Sequence, residues 1–337
     1  MMKKAFLISI FLFLTYFISL KAQDLPVHEQ YMFDFMLVNP AFAGMSEVTS
    51  VKVIHREQWI GMDDAPRTSF LLFKHRLNER TGGVGGYIYS DKNGPNSKYG
   101  GQLTWSFQAL LDSKRYSRTI LSFGISFRAL LHTLDETGFE QTIYDPIITY
   151  SKQTTFIPNA NAGVVLSYNQ AFLGASFDNL IPWSDRMYNT VIEPVNFVLM
   201  NIHAGNIFTL SRRVQLRPSA LFKTNFHGLN QLDINAKFHV FGNKPIRSVY
   251  IRYQNEFFFG LSYRQTLDWG NISALSLSPT FGFTIDKYSF MYLYDLGLTH
   301  LQLFHSGTHQ ICIGIRFFHD KYRNWEKHSI PVFTDDF

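Results

Sequence analysis

The chain of 337 residues predicts an all-β fold, a transmembrane antiparallel β-barrel of about 14 strands, with 14 and 16 the even counts that fit. An N-terminal latch or plug segment precedes it. Three observations carry this expectation. Many segments alternate apolar and polar residues with a period of two. The composition is rich in aromatics and poor in charge. An export signal opens the chain, and no second long apolar run follows it.

The first element is residues 1–22, read as a signal peptide. Lys3 and Lys4 supply its charged start, Ala5–Leu20 is nearly all apolar, and cleavage falls after Ala22. The apolar run is shorter than the ~20 residues that comfortably span a bilayer as a helix. No cysteine follows the signal, which excludes a lipoprotein anchor. The single Cys312 excludes an internal disulfide framework and a cysteine-based zinc site.

Residues 23–47 do not alternate. They are dense in aromatics and Met, with a turn signal at Asn39–Pro40 and small residues at Ala41, Ala43 and Gly44. Two readings stand open here, a periplasmic leader or an ordered plug, since so many large apolar residues are unfavourable in water.

Residues 48–318 form the expected barrel. Leu103, Trp105, Phe107 and Ala109 interleave with Gln102, Thr104, Ser106 and Gln108. Leu121, Phe123, Ile125 and Phe127 interleave with Ser122, Gly124, Ser126 and Arg128. The same holds for Leu232 to Val240 and for Leu275 to Ile285. Around Ala162–Tyr168, Val165 breaks the rule. At the end, Ile311, Ile313, Ile315 and Phe317 share one face, and Cys312, Gly314, Arg316 and Phe318 the other. Runs of this length match the ~9–11 residues of a tilted membrane strand. About fifteen such segments can be counted between Val48 and Phe318, and single-chain barrels of this kind have even numbers.

Aromatics make up 16% of the residues, with 33 Phe and 17 Tyr, and charged residues 17%, against ~25% in soluble domains. A soluble β-sandwich alternates too, but its outer face carries many charges. Here the polar face is Ser, Thr, Gly, Asn and Gln. Lipid offers no partner to backbone N–H and C=O groups, so the sheet must close. By register, Arg128, Lys237, Arg252, Arg264 and Arg316 face the lumen. Tight turns are expected at Asn169–Gln170, Gln254–Asn255 and Asp286–Lys287, and long loops at His132–Pro158, Asn179–Pro194 and Thr299–Gly307. Residues 319–337 are read as a periplasmic tail.

Catalysis and cofactors find little support. His305, Ser306 and His309 are close in sequence, but no glycine elbow surrounds Ser306 and no acidic orienter is near. Metal ligation by His300, His305 and His309 would need geometry that spacing does not show. Gly82–Gly86 lacks the lysine and helix of a phosphate loop. We therefore expect no enzyme activity, no catalytic residue, no cofactor and no metal. The net charge of +5 is spread along the chain without a basic block, so nucleic acid is not an expected partner.

The motifs then point to a family. QYMFDFMLVNPAFAG, at Gln30–Gly44, resembles the opening of the PorP/SprF family of type IX secretion system membrane proteins, with Gln30, Tyr31, Asn39, Pro40, Ala41 and Gly44 on its pattern. Arg56, Gln58, Trp59 and Gly61, followed by Pro66 and Thr68, resemble its R-x-QW-x-G…P-x-T signature. GGVGGYIYSDKNGP, at Gly82–Pro95, is similar to its glycine-rich strand and closing turn at Gly94–Pro95. Gly307, Thr308 and His309 are similar to its G-THE-I element, with Gln310 where Glu is usual.

The resemblance implies a barrel of about 14 strands, related in architecture to fatty-acid transporter barrels, in the outer membrane after signal-dependent export. It implies partners among secreted adhesin-like proteins or their C-terminal signal domains, periplasmic type IX components and outer-membrane lipid. The implied role is to export such proteins or anchor them at the cell surface, in some species for gliding motility. A passive porin or fatty-acid-type transport barrel is the alternative. For Arg56 and Trp59 two roles stand open: a clamp on the N-terminal segment, with Arg56 meeting backbone carbonyls, or a lumen arginine and an interface tryptophan.

Overall fold

The structure, a computed structural model, describes residues 31–46, 48–78, 82–114, 117–139, 150–181, 197–242, 255–268 and 271–318. The expected signal peptide, residues 23–30 and the tail lie outside them. Fifteen strand segments form one antiparallel sheet: β1 (Val48–Glu57), β2 (Arg67–Asn78), β3 (Gly82–Asn93), β4 (Asn96–Lys114), β5 (Ser117–Asp135), β6 (Lys152–Tyr168), β7 (Ala171–Asp178), β8 (Leu199–Gly205), β9 (Phe208–Thr209), β10 (Val214–Thr224), β11 (Asn230–Phe241), β12 (Glu256–Asp268), β13 (Asn271–Ile285), β14 (Tyr288–Gly297) and β15 (Thr308–Phe318).

Segments β8 and β9 both pair with β10, at opposite ends of it, so they are two pieces of one interrupted strand. Fifteen segments thus make a closed barrel of 14 strands. Closure comes from β15 against β1, in register from Val48 opposite Phe318 to Glu57 opposite His309. With no free edge, every wall strand has a backbone partner on both sides, which a bilayer demands.

The alternation sorts side chains between lipid and lumen as the sequence predicts. Leu103, 77% exposed, and Trp105 and Phe107 face outward, while Gln102, Thr104, Ser106 and Gln108 are buried inside. On β15, Ile311, Ile313 and Phe317 face out, and Cys312 and Arg316 face in. Several lumen positions are nevertheless apolar: Ile54, Phe70, Leu72, Tyr87 and Val165 are buried there. Those departures mark where the interior is filled by protein.

Both barrel ends, Val48 and Phe318, lie on one rim, together with the short links 169–170 and 286–287. The connections 58–66 and 298–307 lie on the other. Short turns mark the periplasmic rim of such barrels and long loops the extracellular one. The turns at Asn169–Gln170 and Asp286–Lys287 are as expected. The turn expected at Gln254–Asn255 lies in part outside the described residues, since Gln254 does; β11 ends at Phe241, β12 starts at Glu256, and Gly242 N–H bonds Asn255 C=O at 2.8 Å. The loop expected at His132–Pro158 is shorter at both ends, since β5 runs to Asp135 and β6 starts at Lys152. Strands β5 and β6 run on beyond the apolar stretch, and their polar ends pair as Asp135 opposite Lys152.

Candidate functional site

Tyr31–Ser46 lies inside the barrel, in the periplasmic half of the lumen. It contains two short 3-10 turns, Phe35–Leu37 and Pro40–Gly44, each opened by a side chain that caps it. Asp34 caps the first, its Oδ1 accepting Met36 N–H at 3.0 Å. Asn39 caps the second, its Oδ1 accepting Ala41 N–H at 2.9 Å. Proline at the first position of the second turn costs no hydrogen bond, because that N–H is unsatisfied in any case. Both caps therefore free the rest of each side chain to reach the wall.

Asp34 Oδ2 receives Lys52 Nζ and Lys74 Nζ, each at 2.8 Å, from β1 and β2. All three side chains are fully buried. Burial opposes the charge on Asp34, but the two ammonium groups outweigh it and hold the carboxyl well below the usual carboxylate range. Lys52 also donates to Phe33 C=O at 2.9 Å, and Lys237 to Met32 C=O at 2.7 Å. Two lysines thus make backbone-carbonyl contacts of the kind considered for Arg56.

On the far side of the lumen, Asn39 Nδ2 lies 3.2 Å from three acceptors: Val164 C=O on β6, Ala175 C=O on β7 and His203 Nε2 on β8. Ser122 Oγ donates to Ala41 C=O at 2.7 Å, and Ser176 Oγ to Val38 C=O at 2.5 Å. Tyr31 accepts from Asn235 Nδ2 at 2.9 Å and lies under Lys223 Nζ, 5.6 Å from its ring centre. Phe35 stacks on Phe42 at 5.2 Å, and Phe42 meets Phe172 edge-on at 5.5 Å. Tyr31, Phe33, Met36 and Phe42 are fully buried, and each such side chain contributes about 1.5–3 kcal/mol.

Small residues set how close the plug comes. A side chain at Gly124 would strike the backbone of Pro40 and Ala41, and one at Gly83 would lie 2.6 Å from Gly44 Cα. Gly44 is packed equally tightly against Gly82 and Gly83. The close packing expected of Ala41 and Gly44 is therefore a fit between glycines of the wall and small residues of the plug.

The remaining motif residues gather on the extracellular rim. Gln58 N–H bonds Pro66 C=O at 2.9 Å, closing the loop between β1 and β2. Ile60 N–H bonds Gly307 C=O at 3.1 Å, and Ser306 N–H bonds Ile60 C=O at 2.8 Å. The Trp59 ring lies 6.2 Å from His305. Gly94 N–H reaches Asp64 C=O at 3.3 Å, and Pro95 C=O takes Asp135 N–H at 3.0 Å. Gln58–Gly61, Pro66, Gly94–Pro95 and Gly307–His309, distant in sequence, thus form one hydrogen-bonded platform over β15, β1, β2 and β3. Thr308 is buried on the inner face, and His309 Nδ1 meets Tyr292 Oη at 2.6 Å on the outer one. Arg56 is buried on the lumen face of β1, one residue from its extracellular end.

Among the lumen charges, Lys237 touches the plug, Arg264 pairs with Asp233 at 3.2 Å, and Arg128 bonds Asn179. Arg316 is buried near the periplasmic end of β15. Gln30 and Arg252 lie outside the described residues. Among the described residues no cluster of three or more His, Cys, Asp or Glu is arranged to hold a metal. His305 Nδ1 is occupied by Gly307 N–H at 2.9 Å.

Sequence periodicity gives no functional role to Asp34, Lys52, Lys74, Ser122, Ser176 or His203; apolar residues at lumen positions, such as Val165, are the signal that something fills the interior.

A family model described as type IX secretion system membrane protein PorP/SprF matches residues 20–315. The chain belongs to the PorP/SprF family. This family member is therefore a type IX secretion system membrane protein with an outer-membrane β-barrel fold. A search of curated proteins finds no match. Among solved structures, the CymD monoaromatic hydrocarbon channel is 12% identical, covering 85% of this chain and 93% of its own, at a TM-score of 0.46. CdiB from Acinetobacter baumannii is 11% identical, covering 80% and 60%, at 0.41. The translocator domain of the autotransporter NalP from Neisseria meningitidis is 10% identical, covering 82% and 89%, at 0.34.

Proposed function

We propose that this PorP/SprF barrel is a non-enzymatic docking component of the outer membrane, reached by signal-dependent export. It holds a secreted adhesin-like protein, through that protein's C-terminal signal domain, and helps export it or anchor it at the cell surface. Gliding adhesins are one such cargo. Its periplasmic rim touches periplasmic parts of the secretion machinery.

One observation supports this reading above the others: the motif residues divide between a rigid extracellular platform and a plug that fills the lumen beneath it. A platform made of two loops joined by backbone hydrogen bonds loses little entropy when a partner binds. A filled lumen suits docking better than diffusion. Leu303 and Phe304, 81% and 71% exposed in the loop beside the platform, add apolar area that a partner can cover.

The test is deletion of the gene, and separately Trp59→Ala with Phe304→Ala, while the surface abundance of the secreted partner is followed. Partner lost from the surface in the deletion, and reduced in the double variant with the barrel still inserted, is the expected result. A partner that reaches and stays on the surface without the barrel removes the docking reading. The transport reading predicts open-channel conductance from the purified wild-type barrel in planar bilayers; the plugged barrel is expected to be closed.

A further inference from the structure

The wall is uneven. Strands β4 and β5 have 19 residues each and β6 has 17, whereas β7 has 8 and β8 has 7 before it breaks at Asn206–Ile207. Beyond Asp178 the link to β6 relies partly on side chains. Asn161 Oδ1 takes Asn179 N–H and Asn159 Oδ1 takes Ile181 N–H, both at 3.2 Å, beside one backbone bond from Leu180 N–H to Ala160 C=O at 2.9 Å. Next to this sector, Pro218 within β10 has no N–H to give to a ladder. Short strands, a break, side-chain substitutes and a proline all weaken the same arc of wall.

The plug braces that arc from inside. Val164 and Ala175 face each other across β6 and β7, and Asn39 Nδ2 reaches both carbonyls and His203 on β8. Ser176 on β7 ties Val38, and Phe172 on β7 packs against Phe35 and Phe42. By contrast, the long strand β5 holds the plug through Ser122, and its wall pairing runs the full length of β4 and β6.

We propose that β6–β8 is a lateral seam between lumen and bilayer, kept shut by the plug, with Asn39 as its clasp. When the plug is displaced, this arc loses the amide that ties β6, β7 and β8 to the plug and opens ahead of the rest of the wall. The coupling makes plug position a switch for lateral access, whichever partner moves the plug.

Hydrogen exchange followed by mass spectrometry on the full protein in lipid nanodiscs tests it. Asn39→Ala is expected to speed exchange in Phe172–Asp178 and Leu199–Gly205 about tenfold or more, while the matching parts of β4 and β5 stay protected. Ser122→Ala, which removes a plug bond on β5, leaves β7 and β8 protected. Ser176→Ala gives the Asn39 pattern at smaller size and serves if Asn39→Ala does not insert. An oxidised pair made by Val164→Cys and Ala175→Cys in a Cys312→Ala background restores protection. Acceleration all round the wall, acceleration confined to the plug, or none in β7 and β8 would overturn the seam.

Discussion

The wall and the plug are held by opposite means. In the wall, backbone ladders such as Asn96–Lys114 against Ser117–Asp135 do the holding, and lipid-facing side chains only match the solvent around them. In the plug, the 3-10 turns close local backbone bonds such as Val38 N–H to Phe35 C=O, but named side chains fix them to the wall: Asp34, Asn39, Lys52, Lys74, Ser122 and Ser176. The wall therefore tolerates many exchanges within one polarity. The plug tolerates few, since each buried polar contact left unmatched costs free energy that lipid or water does not return.

Substitutions can sharpen or break that contrast. Asp34→Asn is expected to have the largest effect, because it leaves two buried ammonium groups without their anion; such losses cost about 3–5 kcal/mol. Protease access to residues 31–46 and the chemical unfolding midpoint would read it. An unchanged midpoint would mean the triad does not hold the plug. Ile313→Arg, at the centre of β15 and facing lipid, follows at about 2–4 kcal/mol, read as lost insertion. Ser122→Ala removes one plug bond and is expected to cost about 1 kcal/mol, measured by the same unfolding assay. Leu103→Ala should leave protease access to residues 31–46 unchanged, since its side chain faces lipid and not the plug. A large change there would end the distinction between wall and plug.

Acid offers a further test. The carboxyl of Asp34 is depressed in the folded state. Its contribution is therefore fully present above the ordinary aspartate value of ~3.9 and is lost only as pH falls through the lowered one. The plug should stay seated from neutral pH down to about pH 4, as measured by protease access. Release at milder acidity would show that another group governs it.

Much of the wall was readable because a strand in a bilayer has no freedom. Side-chain direction alternates by geometry, lipid demands apolar residues on one face, and no tertiary detail is needed to see the period. The loop expected at His132–Pro158 is shorter than its sequence suggests for a related reason. At Lys152–Thr155 the residues are polar on both faces, so the apolar–polar alternation vanishes while the pairing continues.

The chain by itself determined the barrel, its lumen-facing phase and the family motifs, because each depends on residues near one another in sequence. Only the tertiary structure decided what the motifs do together. Asp34 meets Lys52 and Lys74, Asn39 bridges Val164, Ala175 and His203, and Ile60 joins Gly307 across almost the whole chain. Closing the barrel brings β15 to β1 and wraps the wall around the plug. Contacts set by that closure have no local period, so no stretch of sequence announces them.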